Sequence, residues 1–162
     1  MLSGCKLNGT DTGNPIVDDS SGTQCGKLVA HSDYSARCVL SPSPLIQAGQ
    51  VCKKLNTCFQ IPKDTCFDAV VNQPELSKYI TINVDTYTQL NSLLQDRKII
   101  ADSKYYDECL TALNDIECSS SPVQNSVKID DSDPNNIKID YSNVHSILDA
   151  SISCKDIYSF KN

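Results

Sequence analysis

The chain has no tryptophan, one methionine and three phenylalanines in 162 residues, so its seven tyrosines must supply much of any aromatic core. It lacks an apolar run of about 18 residues or more, and no segment reads as a bilayer span. Basic residues number 14 against 20 acidic ones and are scattered rather than gathered in a stripe. Nucleic acid and an anionic lipid surface are therefore excluded as main partners. The only histidines are His31 and His145, and neither stands near Gly-x-Ser-x-Gly or another nucleophile motif. Cys-x-x-Cys is absent too, and neither histidine is at ligand spacing from a cysteine, which removes the usual zinc-knuckle and thioredoxin-like signatures. No cofactor is expected.

Cysteine itself is abundant. Cys5, Cys25, Cys38, Cys52, Cys58, Cys66, Cys109, Cys118 and Cys154 make nine, which points to disulfides in an oxidising compartment. Nine is odd, so one thiol must be committed elsewhere. Cys5 is that residue: Leu2-Ser3-Gly4-Cys5 resembles a bacterial lipobox, whose cysteine receives diacylglycerol on sulfur and becomes the mature N-terminus. The other eight then allow four disulfides in any of about 105 pairings. A complete signal peptide would place a basic and an apolar region before the lipobox, so the expectation is a leader trimmed and replaced by Met1.

After Cys5, "KLNGTDTGNPIVDDSSGTQ" has one apolar pair, Ile16-Val17, and cannot bury enough to order itself. Residues 1–24 are read as lipidation site and tether, and 25–162 as one domain, since a chain of this size builds a single core.

Within that domain, Ser43 and Pro44 start a helix of about 13 residues with Leu45, Ala48, Cys52 and Leu55 on one face. Asp64 can cap a short helix carrying Cys66, Phe67, Val70 and Val71, and Pro74 repeats the proline start. "ITINVD" alternates as a strand, after which Asp85 can cap a helix with Tyr87, Leu90 and Leu94 inward. "IKID" followed by Val144, Ile147 and Leu148 repeats that order faintly. Asp102 or Ser103 starts a helix with Tyr106, Cys109, Leu110 and Leu113 in one stripe. Cys109 and Cys118, nine residues apart, face roughly opposite sides of a helix, so each should bond a different element.

The segment Lys98–Cys118, with a basic residue and Ile, then Asp, then Cys-Leu-x-Ala-Leu and a second cysteine, resembles a pattern of cysteine-rich bacterial lipoproteins. It departs from that pattern at Arg97, where the pattern tends to carry Gly, and at Ala101, where it tends to carry Tyr. The resemblance implies an extracytoplasmic, lipid-anchored location and a short extended segment before a disulfide-tied helix. It implies no activity.

Val127, Ile129, Ile137, Ile139 and Tyr141 alternate about an Asp-Pro-Asn-Asn turn, which predicts a hairpin. Asp131, Asp133 and Asn135 imitate the first oxygen ligands of a calcium loop, but Asn136 stands where the loop needs Gly and Ser142 where it needs a bidentate Glu. A solvated acidic turn is the preferred assignment. Asp11-Thr12-Gly13 is a single copy of a triplet whose proteolytic chemistry needs two carboxylates. Asn8-Gly9-Thr10 is a glycosylation sequon that matters only in a eukaryotic host, against which the lipobox argues. His145 is placed on the polar flank of its helix. Among Tyr79, Tyr87, Tyr105, Tyr106, Tyr141 and Tyr158, the adjacent Tyr105 and Tyr106 are partner-binding candidates, pointing to different faces.

The expected fold class is mainly α, a small disulfide-stapled helical domain with short strands or one hairpin, with α+β as the alternative. The expected function is that of a non-enzymatic envelope or surface lipoprotein, held to the bacterial outer membrane or cell surface by a lipid on Cys5 and binding a protein partner. A carrier of a small apolar ligand is the first alternative. A hydrolase is the second, and would need a cleft bringing His31 or His145 to a carboxylate and a hydroxyl.

Overall fold

In the computed structural model, which describes residues 42–162, the chain enters the fold through a capped helix. The Ser43 side chain accepts from the Ile46 amide at 3.3 Å, and Pro44 fills the first helical position with no amide to leave unpaired. The resulting α1, Pro44–Phe59, runs three residues beyond the predicted helix and ends at Gln60. Gln60 takes the left-handed conformation (φ 61°), so that its amide reaches Asn56 O at 2.9 Å, while the Asn56 side chain donates to Ile61 O at 2.9 Å. A non-glycine residue in that region costs about 1–2 kcal/mol, offset here by two carbonyls capped at once.

Helix α1 is the centre of the fold and packs against α2 (Lys63–Asn72), α3 (Tyr87–Gln95) and α4 (Ser103–Asp115). Asp64 does not cap α2: Pro62 occupies that position with no side-chain bond, and Asp64 sits in the first turn, where its carboxylate still favours the helix dipole. Thr86 rather than Asp85 caps α3, accepting from the Gln89 amide at 3.0 Å while the Gln89 side chain accepts from the Asp85 amide at 2.9 Å. Asp102 caps α4 as its position suggests, accepting from the Tyr105 amide at 2.9 Å, and Tyr106, Cys109, Leu110 and Leu113 are its buried stripe. A four-residue helix, α5 (Ser121–Gln124), and 3-10 turns at Leu76–Lys78, Val144–Ala150 and Ile152–Cys154 complete the helical part of the described residues.

The fold is mainly α, with three disulfides among the described residues: Cys52–Cys66, Cys58–Cys118 and Cys109–Cys154. Cys109 and Cys118 bond different elements, as expected, although Cys118 lies beyond the end of α4, so helical phase is not what separates them. Cys5, Cys25, Cys38, His31, the Asp11-Thr12-Gly13 triplet, the sequon and the 1–24 tether lie outside the described residues.

Among the described residues there are two two-stranded antiparallel sheets: β1 (Ile99–Ala101) with β4 (Tyr158–Phe160), and β2 (Lys128–Asp130) with β3 (Lys138–Asp140). The second is the expected hairpin. The strand predicted over 80–85 does not form. Ile80, Ile82 and Val84 are buried and their intervening neighbours exposed, so the alternation is real. The Val84 amide, however, folds back onto Ile82 O (3.0 Å), and Thr81 N to Lys155 O (2.9 Å) is the one backbone bond joining this stretch to the C-terminal segment. The faint repeat dissolves with it: one copy lacks the strand, and the other follows its strand with a 3-10 turn in place of an α-helix.

The single core is gathered from every helix and is unusually dependent on tyrosine: Tyr87, Tyr106 and Tyr158 are all buried. Tyr106 donates to Ser43 O at 3.1 Å and Tyr158 to Gln47 Oε1 at 3.0 Å, while Gln47 Nε2 points at Cys109 Sγ (3.6 Å). Buried hydroxyls and amides in this layer thus satisfy one another. The exception is the Tyr87 hydroxyl, which is buried without a partner among the described residues.

Candidate partner-binding groove

Helix α1 must reverse into α2 within three residues, Gln60-Ile61-Pro62, and two disulfides bracket that reversal. Cys52–Cys66 ties α1 to the first turns of α2, and Cys58–Cys118 ties the last turn of α1 to the segment after α4. Lys54 reinforces the second tie, its Nζ donating to the end carbonyls of α4 at Asn114 (2.9 Å) and Ile116 (2.8 Å). Phe59, Gln60, Ile61, Pro62 and Thr65 therefore present a wall with little freedom to move.

The hairpin stands opposite. In its ladder Ile129 pairs with Ile139, and alternation puts Ile137 and Asp131 on the same side. The other side carries Lys128 facing Asp140 and Asp130 facing Lys138, a chequer of opposite charges turned to solvent. The root is fixed from both ends. Ser126 and Val127 are buried, and Asn143 donates to Asn125 O at 2.7 Å while accepting from the Tyr79 hydroxyl at 3.1 Å. Between the two walls lies a cavity of about 820 Å³, lined by Phe59, Ile61, Ile129, Asp131, Ile139 and Tyr141 among others. The hairpin's apolar face does not fill it: Ile129 is 40% and Ile137 55% exposed.

The electrostatics of the hairpin are set by its turns. Asp130 Oδ1 accepts from Ser132 N (3.1 Å) and Oγ (2.7 Å), and Asp140 Oδ1 accepts from Ser142 N (2.8 Å). These bonds favour the charged form and hold both carboxyls below the ordinary range. Asp133 accepts from the Asn135 amide at 3.0 Å, which closes the tip. Half-burial raises the Tyr141 hydroxyl's pKa, with a hydrogen bond to Thr65 across the groove pulling the other way.

The calcium candidates behave as turn residues: Asp133 and Asn135 bond each other through the backbone amide, and Asp131 faces the groove. No group of three metal-ligating side chains gathers among the described residues. Of the tyrosine pair, Tyr105 is 39% exposed, whereas Tyr106 is buried on Ser43 and is no surface anchor; the turn of about 100° between adjacent helical positions imposes that split. His145 also departs from its expected place. It is 3% exposed, because the 3-10 turn it sits in is enclosed by packing against α4, α5 and the Ile152–Cys154 turn, so that residues 144–148 are buried all round. Its Nε2 lies 2.8 Å from Gln73 O and its ring meets Tyr87 edge-on at 5.5 Å. Burial lowers its pKa, while the Gln73 bond and the Asp85 charge oppose that shift.

The groove residues were visible in the sequence only as a hairpin. The signal that could have marked them is an alternating isoleucine face in a segment enclosed by turns and acidic residues, with no amphipathic partner in sequence to cover it. No family model matches the chain, and comparison with curated proteins and with solved structures finds no match.

Proposed function

We propose that this chain is a non-enzymatic, extracytoplasmic binding domain of the cell envelope, lipid-anchored through Cys5, that engages a protein partner through the groove between the β2–β3 hairpin and the α1–α2 turn. The observation that carries the proposal is the uncovered isoleucine face of the hairpin over a disulfide-bracketed wall. Three disulfides suit an oxidising compartment, and no helix among the described residues is long and apolar enough to cross a membrane. In this reading a covalent lipid on Cys5 supplies the attachment, and a folded body after a polar segment is what such an anchor holds.

A photo-crosslinking amino acid at position 137, inside the groove, is expected to yield a discrete protein adduct in intact cells that the same group at position 138, on the charged face, does not. Equal adducts at both positions, or none, would reject the groove as the binding face. For the anchor, Cys5→Ser is expected to release the protein from the membrane fraction and abolish incorporation of labelled palmitate. Retention of both would refute lipidation. The volume of the groove also suits a small apolar ligand. In that case an apolar fluorescent dye would bind it at micromolar concentration and Ile137→Asp would abolish the signal.

A further inference from the structure

The groove carries more information than its apolar lining. Four carboxylates sit in or beside the hairpin turn, and three of them are committed: Asp130 to Ser132, Asp133 to Asn135 and Asp140 to Ser142. Asp131 has no hydrogen bond or ion pair among the described residues, and it is also the one charged side chain lining the groove. Alternation places it on the isoleucine side, next to the most exposed of those residues, Ile137. The charge of the whole chain, −6, has the same sign.

Resting on the groove as the partner-binding face, we propose that its occupant is a predominantly aliphatic peptide segment carrying a Lys or Arg whose cation pairs with Asp131. The isoleucines and Phe59 supply non-directional affinity from buried apolar area, and Asp131 supplies register and choice among apolar segments. An acidic segment is disfavoured twice, by Asp131 locally and by the net charge at longer range. A second copy of the chain fits poorly: an isologous contact through this face would bring another net charge of −6 against the same acidic turn.

The test is selection of a random twelve-residue peptide library on the immobilised disulfide-bonded protein, followed by affinity measurement of synthetic winners on four forms of it: unmodified, Ile137→Asp, Asp131→Asn and Asp107→Asn. The last removes the same charge from the exposed surface of α4, and circular dichroism of each form verifies its folding. Winners are expected to combine aliphatic residues with a Lys or Arg. Ile137→Asp should weaken them about tenfold or more, and Asp131→Asn about two- to fivefold, with no such change for Asp107→Asn. Replacing the peptide's basic residue by norleucine should remove the difference between the unmodified and Asp131→Asn forms. Apolar winners that depend on Ile137 yet ignore Asp131 would overturn the charge pairing and leave the groove standing. Equal losses for Asp131→Asn and Asp107→Asn would overturn it in favour of non-specific attraction. Winners indifferent to Ile137, an absence of winners, or dimerisation lost in Ile137→Asp would overturn the groove as a peptide site.

Discussion

The two small sheets use the same number of residues per strand and differ in what holds them. In the β1–β4 sheet the strands come from positions 59 residues apart, and one face is anchored in the core: Ile99 and Tyr158 are buried on it, with Phe160 half-exposed at its rim, and Tyr158 bonds Gln47 of α1. Its ladder is extended by Asp102 N to Ile157 O (2.7 Å) and Lys161 N to Lys98 O (3.1 Å), and Cys109–Cys154 fastens α4, which follows β1, to the turn before β4. In the β2–β3 sheet the strands are neighbours joined by a turn, no disulfide enters it, and its apolar face looks into an open groove. Non-local pairing survives in the first because the core and a disulfide hold the strands together. The hairpin closes locally without a disulfide and meets the core at its root and through Ile139 and Tyr141, which leaves Ile129, Ile137 and Asp131 open to the groove.

The largest effect expected is from full reduction. Loops of 14, 60 and 45 residues are closed by the three bridges, and each typically contributes about 2–4 kcal/mol, so their joint loss rivals the net stability of a small domain. The thermal midpoint should collapse in excess reductant, and hydrogen exchange should show the β1–β4 amides losing protection. A midpoint that stays put would mean that packing alone sustains the non-local sheet.

Next comes Tyr158→Ala, expected to cost about 3–5 kcal/mol in urea denaturation, because it opens a core cavity and strips Gln47 of its donor. Tyr87→Phe is the contrasting change: its hydroxyl has no partner to lose, so stability should hold or rise by about 1 kcal/mol. A loss in Tyr87→Phe approaching that of Tyr158→Ala would show instead that the Tyr87 hydroxyl is itself stabilising, since this change keeps the ring.

A smaller effect is expected from pH. His145 lies in the 3-10 turn that follows the hairpin, and its pKa is lowered by burial from an ordinary 6.5. The unfolded chain therefore binds the proton more readily, so stability is full above that ordinary value and declines as pH falls below it, levelling off beneath the folded pKa. The expected outcome is a midpoint that drops between neutral and mildly acidic pH, less steeply in His145→Gln, with the hairpin root exchanging its amides before the β1–β4 sheet. Turn contributions from Asp130 and Asp140 are lost only lower, below the ordinary 3.8. An unaltered slope in His145→Gln would dissociate the hairpin root from this histidine.

Smallest of all is Ile137→Asp, expected to change stability by no more than about 0.5 kcal/mol, since the side chain is more than half exposed. A substantially larger loss would show that the isoleucine face is structural, and the contrast between the two sheets would fail.

Much of the helical frame was legible beforehand because its causes are local. Ser43-Pro44 and Asp102 are caps that need no partner beyond their own helix, and the Tyr106, Cys109, Leu110, Leu113 stripe follows from helical period alone. The hairpin is legible for the same reason. Local pattern misleads where a tertiary partner decides. The segment 80–85 has the burial rhythm of a strand and no neighbouring ladder, the C-terminal β4 exists only because β1 lies beside it, and His145 is drawn inward by Gln73 O and the Tyr87 ring.

The sequence by itself determined a helical, tyrosine-cored domain with paired cysteines and an isoleucine-faced hairpin, since caps, periodicity, turn residues and composition act over a few residues. Only the tertiary structure decided which cysteines pair, which tyrosine is exposed, and that the hairpin stands across a gap from the α1–α2 turn. Those outcomes depend on how distant segments pack, and burial, disulfide geometry and an open groove are properties of that packing rather than of any stretch of chain.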